Sequence, residues 1–364
     1  MQAASAQPSL PPGAPPATPP GTQSSLTPGV PPTTATQSAL PPPVPLPPAG
    51  KFDLARSDIA SFVDNVVARD ALDRKSVQAL LGHAEAQPKI IERITKPAER
   101  VLEWWEYRQI FVNEKRIADG AQFWNEHRVS LEHEAAQRGV APQYIVAILG
   151  AETNYGRITG HDRVLDALMT LAFDYPPRQD YFRGELEQFL LLVREERIDP
   201  LTVLGSYTGA MGAPQFMPSN YRLYAMDANG DESRNLWTDW DDVFASVANY
   251  FISFGWVSGG PVLTPARLDP DPSFQLDPRN LELNETLDSL NGKGVRVSLS
   301  LPPTTPAVLV SAEEKDGPAY RVGFQNFYAI SRYNHSARYA MAVNDLAEAI
   351  AKRVRSAEPP GHSP

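Results

Sequence analysis

The sequence predicts an α+β protein that is mainly α-helical, with a small antiparallel β insertion in its C-terminal third. Three observations carry that prediction. From Phe52 onward apolar residues recur at helical spacing, as in the stripe Ile59, Phe62, Val63, Val66 and Val67. Between Pro261 and about Pro318 this spacing gives way to short alternating runs broken by Pro, Gly and Asn, the clearest being residues 294–301 and 307–310. Helical periodicity then returns, and Ala337 to Val354 reads as a strong helix stopped by Pro359.

Taken in order, the chain opens on residues 1–50, which hold 16 of the 36 prolines and no Asp, Glu, Lys or Arg. Runs such as Pro41-Pro42-Pro43-Val44-Pro45 favour polyproline II and cannot bury a core, so this stretch is expected to be a disordered spacer. Its first residues lack the basic and apolar regions of an intact signal peptide. Residues 51–140 are expected to form a helical domain. Its part from Pro97 to about Arg138 is rich in aromatic residues, including Trp104, Trp105, Tyr107, Phe111, Phe123 and Trp124. Helices follow at about Leu165–Phe173, Phe182–Glu195 and Asp242–Phe254, within a core expected over 141–260. The β insertion takes 261–318, a closing segment and helix take 319–356, and 357–364 is expected to be a disordered tail.

Composition excludes several classes of function. The chain has 364 residues, 42% of them hydrophobic, enough for a sizeable core. A net charge of -10 argues against nucleic acid or an anionic membrane surface as the main partner. With no cysteine there is no disulfide, thiol nucleophile or thiolate metal site. No stretch approaches the roughly 20 apolar residues of a membrane-spanning helix.

The most informative run is Ile145 to Gly156. Ile145, Ile148, Leu149 and Glu152 fall at i, i+3, i+4 and i+7, so a helix here ends its apolar stripe in a carboxyl group. Burial disfavours the charged form and raises the pKa. A carboxylic acid still protonated near neutral pH is a general acid. Pro142 suits the first turn, and Asn154-Tyr155-Gly156 reads as the end, with Gly available for a left-handed cap. A glutamate at the rim, solvated or paired with arginine, has the same pattern.

Residues 205–222 mix Gly205, Gly209 and Gly212 with Ser206, Gln215, Tyr207, Phe216 and Tyr221. Flat aromatic faces and fixed polar groups suit a carbohydrate, and a tight helix-packing loop uses the same glycines. Next, Asp227, Asn229 and Asp231 take positions 1, 3 and 5 of a calcium-type loop, with hard oxygen ligands. Glu232 stands where that loop has Gly, and Thr238 where it has a bidentate Glu. Asp239, Asp241 and Asp242 follow closely and could supply the missing carboxylate. Finally, 326–339 is dense in Tyr, Asn and Arg. There Asn334 or Ser336 could cap the last helix, and His335 reads as a surface or structural residue.

Together with Ile94-Thr95-Lys96-Pro97-Ala98-Glu99, these motifs occur in an order that resembles the membrane-bound lytic transglycosylase B type family from about residue 52 to 356. The resemblance implies a lysozyme-like core and cleavage of peptidoglycan glycan strands between N-acetylmuramic acid and N-acetylglucosamine, leaving 1,6-anhydro ends. It implies Glu152 as the catalytic acid and base, and Ser206 as the residue assisting the N-acetyl group or the acid. Gln215, Phe216, Tyr333, Asn334 and Tyr339 match glycan-binding residues, and Tyr107 and Arg178 fall in segments resembling cleft walls. Asp227, Asn229, Asp231 and Asp241 match an EF-hand-like loop for a structural Ca2+, from which Asn229 and Glu232 depart. A periplasmic location follows, with other cell-wall enzymes as further partners. A lysozyme-like muramidase and a non-catalytic glycan-binding scaffold are the alternatives. One acid, where most glycosidases use two, suits the scheme in which the muramoyl C6 hydroxyl closes onto its own anomeric carbon.

Overall fold

Pro142 presets the first turn of the helix Pro142–Thr153, and the run behind it is apolar on every side. The expected stripe is present. Val146 and Ala147, which lie off it, are buried as well. This helix is therefore a central strut rather than an amphipathic one. Around it pack Glu114–Glu126, Arg128–Arg138, Trp240–Ser253 and the last helix, Ala337–Ala357.

The structure, a computed structural model, describes residues 46–95, 102–196, 198–273, 276–277 and 279–357. Residues 1–45 of the expected spacer, 358–364 of the expected tail and Lys96–Glu99 of the quoted motif lie outside the described residues. The aromatic segment 97–138 divides into Trp104–Phe111, Glu114–Glu126 and Arg128–Arg138. Asn113 sets one break by accepting the Arg116 N–H at 3.0 Å as an N-cap. Three further expected helices occur at Val164–Asp174, Gln179–Glu196 and Trp240–Ser253. One hydrophobic core runs from Ile59 in the first long helix, Ser57–Asp70, to Val354 in the last. The helices before residue 140 thus share a core with those after it.

The β region forms a five-stranded antiparallel sheet in the order Glu285–Thr286, Pro306–Ser311, Tyr320–Gly323, Leu263–Leu268, Val295–Val297. The alternation at 294–301 yields only Val295–Val297, paired with Ala266–Leu268. The middle strand, Tyr320–Gly323, pairs with both Leu263–Ala266 and Val308–Ser311. It lies beyond the expected boundary at 318, because a four-residue strand leaves too little alternation to read. The sheet buries a second, small core including Leu287, Leu290, Leu309, Val322 and Phe324. A two-residue ladder, Asp162–Arg163 with Leu204–Gly205, ties the segment leaving the central helix to the Gly-Ser loop.

Candidate active site

Glu152 occupies the last turn of the central helix. Its Oε1 accepts the Tyr339 hydroxyl at 2.5 Å. Burial pushes its carboxyl up to about 7, and the Tyr339 hydrogen bond, which favours the charged form, opposes that rise. Among the described residues no acidic side chain contributes to the shift. Four phenols surround the carboxyl. Burial raises Tyr339, Tyr333, Tyr250 and Tyr107, the last to about 12; the Glu152 charge is the next cause at Tyr339, Tyr333 and Tyr107, and at Tyr250 it adds less than Tyr224 does. Phenols that stay neutral can donate hydrogen bonds without supplying a counter-charge, so the carboxyl keeps its proton close to neutral pH.

Backbone conformation sets where Glu152 sits. The helix ends in three consecutive left-handed residues, Asn154 (φ 50°), Tyr155 (φ 63°) and Gly156 (φ 77°). Asn154, not the expected Gly156, is the helix C-cap. Left-handed non-glycine residues cost of order 1 kcal/mol each and need outside support. Tyr155 provides it. Its ring lies 4% exposed in a slot between two helices, and its hydroxyl donates to the Arg116 carbonyl at 2.6 Å. A Cβ at Gly150 would come within 2.7 Å of that ring and one at Gly120 within 2.5 Å of its hydroxyl, so the slot needs glycine on both helices. Thr153 then ties the same turn to the second motif, donating to the Ala213 carbonyl at 2.8 Å.

In that second motif Ser206 organises its own turn. Its Oγ accepts the Ala210 N–H at 3.0 Å and lies 2.9 Å from the Thr208 hydroxyl. No hydrogen bond joins it to Glu152 among the described residues. Gln215 is left-handed (φ 53°), and its Nε2 donates to the Thr159 and Gly212 carbonyls at 3.1 and 2.9 Å. Tyr333 crosses to this loop, its hydroxyl donating to the Pro214 carbonyl at 2.8 Å.

Two expectations need correction here. Phe216 is 1% exposed and Tyr221 is fully buried, so neither offers a free face to a sugar ring. Phe216 instead backs Tyr250 and Tyr333, with ring centroids at 5.7 and 6.0 Å. Its apolar character is shared by surface and interior aromatics alike, which is why sequence could not tell the two apart. Asn334 ends the helix Gln325–Asn334, with His335 left-handed after it, and Ser336 does the capping of the next helix by accepting the Tyr339 N–H at 3.3 Å. Arg178 stands over the Tyr181 ring at 4.3 Å, in a cluster with Glu185. The Tyr175 phenol feels both Arg178 and Tyr207, so this cluster borders the Ser206 turn. Tyr250 was not singled out from the sequence. It is one of several aromatics on Trp240–Ser253, and Phe244 and Phe251 on the same helix simply fill the core.

The acidic loop keeps a calcium-loop backbone. Asp227 accepts N–H bonds from Gly230, Asp231 and Glu232 at 2.7, 3.2 and 2.9 Å. Glu232 adopts φ 68°, the left-handed conformation for which the standard loop uses glycine. The acidic residues that follow the loop face different partners. Asp239 accepts from Asn229 Nδ2 at 2.7 Å, whereas Asp241 accepts the Ser130 hydroxyl on a neighbouring helix. Among the described residues no three His, Asp or Glu side chains converge closely enough to hold a metal. The all-oxygen donor set and the backbone still fit a hard cation, and the Asn229 amide now bridges the Asp239 and Asp231 carboxylates, 2.7 and 3.5 Å away.

The chain matches known proteins over most of its length. The family model described as transglycosylase SLT domain matches residues 55–348. The chain belongs to this transglycosylase family. Among its relatives is membrane-bound lytic murein transglycosylase B of Escherichia coli (strain K12), 39% identical over 299 residues, covering 80% of this chain and 81% of that protein. Among solved structures, the catenated lytic transglycosylase SltB1 from Pseudomonas aeruginosa is 42% identical with a TM-score of 0.79, covering 82% of this chain and 99% of that one. The Escherichia coli lytic transglycosylase Slt35 in complex with calcium is 37% identical with a TM-score of 0.75, covering 84% of this chain and 97% of that one. The mainly helical, lysozyme-like fold with its small antiparallel sheets is therefore that of the lytic transglycosylases.

Proposed function

We propose that this enzyme is a peptidoglycan lytic transglycosylase in which Glu152 acts first as acid and then as base. The observation that supports this reading best is a single carboxyl, raised to about 7 by burial, with no acidic partner. Glu152 protonates the glycosidic oxygen, and the bond to the muramoyl anomeric carbon breaks. Positive charge at that carbon is shared with the neighbouring N-acetyl group. Ionised Glu152 then takes the proton of the muramoyl C6 hydroxyl, whose oxygen closes onto the anomeric carbon. Tyr339, in hydrogen-bond contact, stabilises the ionised carboxylate between the two steps. Ser206 and Gln215, set by their loop, are the polar groups offered to the N-acetyl group and hydroxyls, and Tyr333 and Tyr107 line the cleft.

Asp227, Asn229 and Asp231, with Asp239 in place of Asp241, are the residues we assign to Ca2+. A bound ion would supply no chemistry to the reaction; held by these residues it would brace the loop ahead of the helix that carries Tyr250. A murein-cleaving enzyme must meet its substrate outside the cytoplasmic membrane, so we place it in the periplasm. No described helix is long and apolar enough to cross a membrane.

The product end tests the reading. A 1,6-anhydro end resists borohydride, whereas hydrolysis leaves a reducible end. Digests of purified walls with ends that borohydride leaves intact support the transglycosylase; reducible ends would make the enzyme a muramidase.

A further inference from the structure

Away from the reacting carboxyl, a partly buried ionic cluster joins three elements. Asp345 lies on the last helix with its side chain 10% exposed. It accepts Arg108 Nε at 2.6 Å and Arg321 Nη1 and Nη2 at 2.6 and 3.1 Å, with Asn344 Nδ2 at 3.4 Å. Arg108 comes from the helix Trp104–Phe111, and Arg321 from the middle strand of the sheet. Burial works to raise the Asp345 carboxyl, yet Arg321 and then Arg108 hold it below the usual range, so it stays charged.

Arg108 follows Tyr107. From Tyr107 a chain of rings leads back to the acid: Tyr107 to Phe111 at 5.3 Å, Phe111 to Tyr339 at 6.1 Å, and Tyr339 to Glu152 by hydrogen bond. The last helix holds this wall at a second point, where Arg338 donates to the Leu102 carbonyl. Arg338 and Asp345 are seven residues apart and share a face, while Tyr339 turns to Glu152. One helix therefore places Tyr339 and, through its two ionic residues, Tyr107 around the same carboxyl. A buried ion cluster is a poor source of net stability, and its best-supported use is to specify one arrangement.

We propose that Asp345 is a positioning residue for the reaction, fixing the Tyr107 helix against the Glu152 cleft through Arg108 and bracing it on the sheet through Arg321. This rests on Glu152 being the acid. The groups facing Glu152 are Tyr107, Tyr250, Tyr333 and Tyr339, and Arg338 acts on Tyr107. Loosening the Tyr107 wall admits water to the carboxyl and eases its ionisation.

The test is kcat and KM against pH on soluble glycan strands, with thermal unfolding in parallel, for Asp345→Asn and Arg108→Lys. The lysine keeps the charge but loses the rigid fork, and leaves Arg321 on Asp345. Both variants are expected to move the alkaline limb of kcat to lower pH. Asp345→Asn should also lower kcat by roughly tenfold to a hundredfold with KM little changed, as misplacement of a catalytic wall does. Lower thermal stability with an unmoved limb would overturn the proposal. If Asp345→Asn does not fold, Arg108→Lys decides alone. Glu152→Gln separates the two readings: turnover retained there removes the acid itself, whereas an inactive Glu152→Gln beside an unmoved limb removes only the positioning role.

Discussion

Glu152 is partly buried and Glu185 lies in the interior, and the two carboxyls differ in the partners each one has. Glu185 is 3% exposed and accepts the Ser219 N–H at 2.9 Å and the Ser219 hydroxyl at 2.7 Å, with Tyr181 and Arg178 adding to its support. Among the described residues Glu152 has the Tyr339 hydroxyl as its hydrogen-bond partner. Burial raises both carboxyls above their ordinary value. Where several donors converge on a carboxylate, the group joins elements together, here Gln179–Glu196 to the helix Pro218–Tyr224. Where one neutral donor faces it and the rest of the wall is aromatic, the proton remains available. Burial alone does not mark a catalytic acid; the count and charge of its partners do.

The largest expected effect separates the two sites most sharply. Glu152→Gln should lower turnover by about 10⁴-fold, the upper range for a general acid and base, measured as release of soluble muropeptides. The same variant should gain stability, with a defined pH dependence. The folded pKa of Glu152, about 7, lies above its ordinary 4.5. The folded state thus binds more protons between those values, and wild-type stability is lost as pH rises through them. The variant lacks this loss. Its advantage should be absent near pH 4 and approach roughly 3 kcal/mol above pH 8 by chemical denaturation. An advantage over the wild type no larger at pH 8 than at pH 4 would break the comparison from the Glu152 side.

Glu185→Ala should do the reverse. It strands the two Ser219 donors and removes the Glu185 charge that Arg178 feels, so stability should fall by roughly 3 kcal/mol. Turnover per folded molecule should change far less than in Glu152→Gln. Equal losses of activity would erase the distinction between the sites.

Tyr339→Phe sharpens it further. The lost hydrogen bond favours ionised Glu152, so the carboxyl should rise and the alkaline limb of kcat should move to higher pH, opposite to the shift expected for Asp345→Asn. A fall in kcat of about tenfold, near 1.4 kcal/mol, is expected from one hydrogen bond to a charge. The smallest effect belongs to the acidic loop. Asp242 already accepts the Ala228 and Asn235 N–H groups at 2.8 and 2.7 Å, holding both ends of the loop. Chelation of Ca2+ should lower stability by only roughly 1 kcal/mol, about 2–4 °C in Tm, with turnover nearly intact; collapse of activity on chelation would contradict this.

Particular residues show what could be read from sequence. Glu152 was legible because an apolar helical stripe ending in a carboxyl is a local pattern, and the helices around it carry their own periodicity. The sheet order was not legible, since Tyr320–Gly323 is too short to show alternation and pairs with strands on either side of it in the sheet. The left-handed turn at Asn154–Gly156 was placed but its cap was not, because Tyr155 in the Gly150 slot decides it from outside the turn. The placements of Phe216 and Tyr250 were not legible for one reason: whether an aromatic ring faces a cleft or a core depends on partners far away in the chain. Asp239 and Asp241 differ in the same way, one facing Asn229 and the other drawn off by Ser130.

The central claim, one carboxyl serving a water-free bond cleavage, is tested most directly by mass spectrometry of purified peptidoglycan digested with the wild type beside Glu152→Gln. The account predicts muropeptides one water lighter than hydrolysis products, carrying 1,6-anhydro ends, and their disappearance in the variant. Reducing ends from the wild type, or anhydro products that persist in Glu152→Gln, would contradict it.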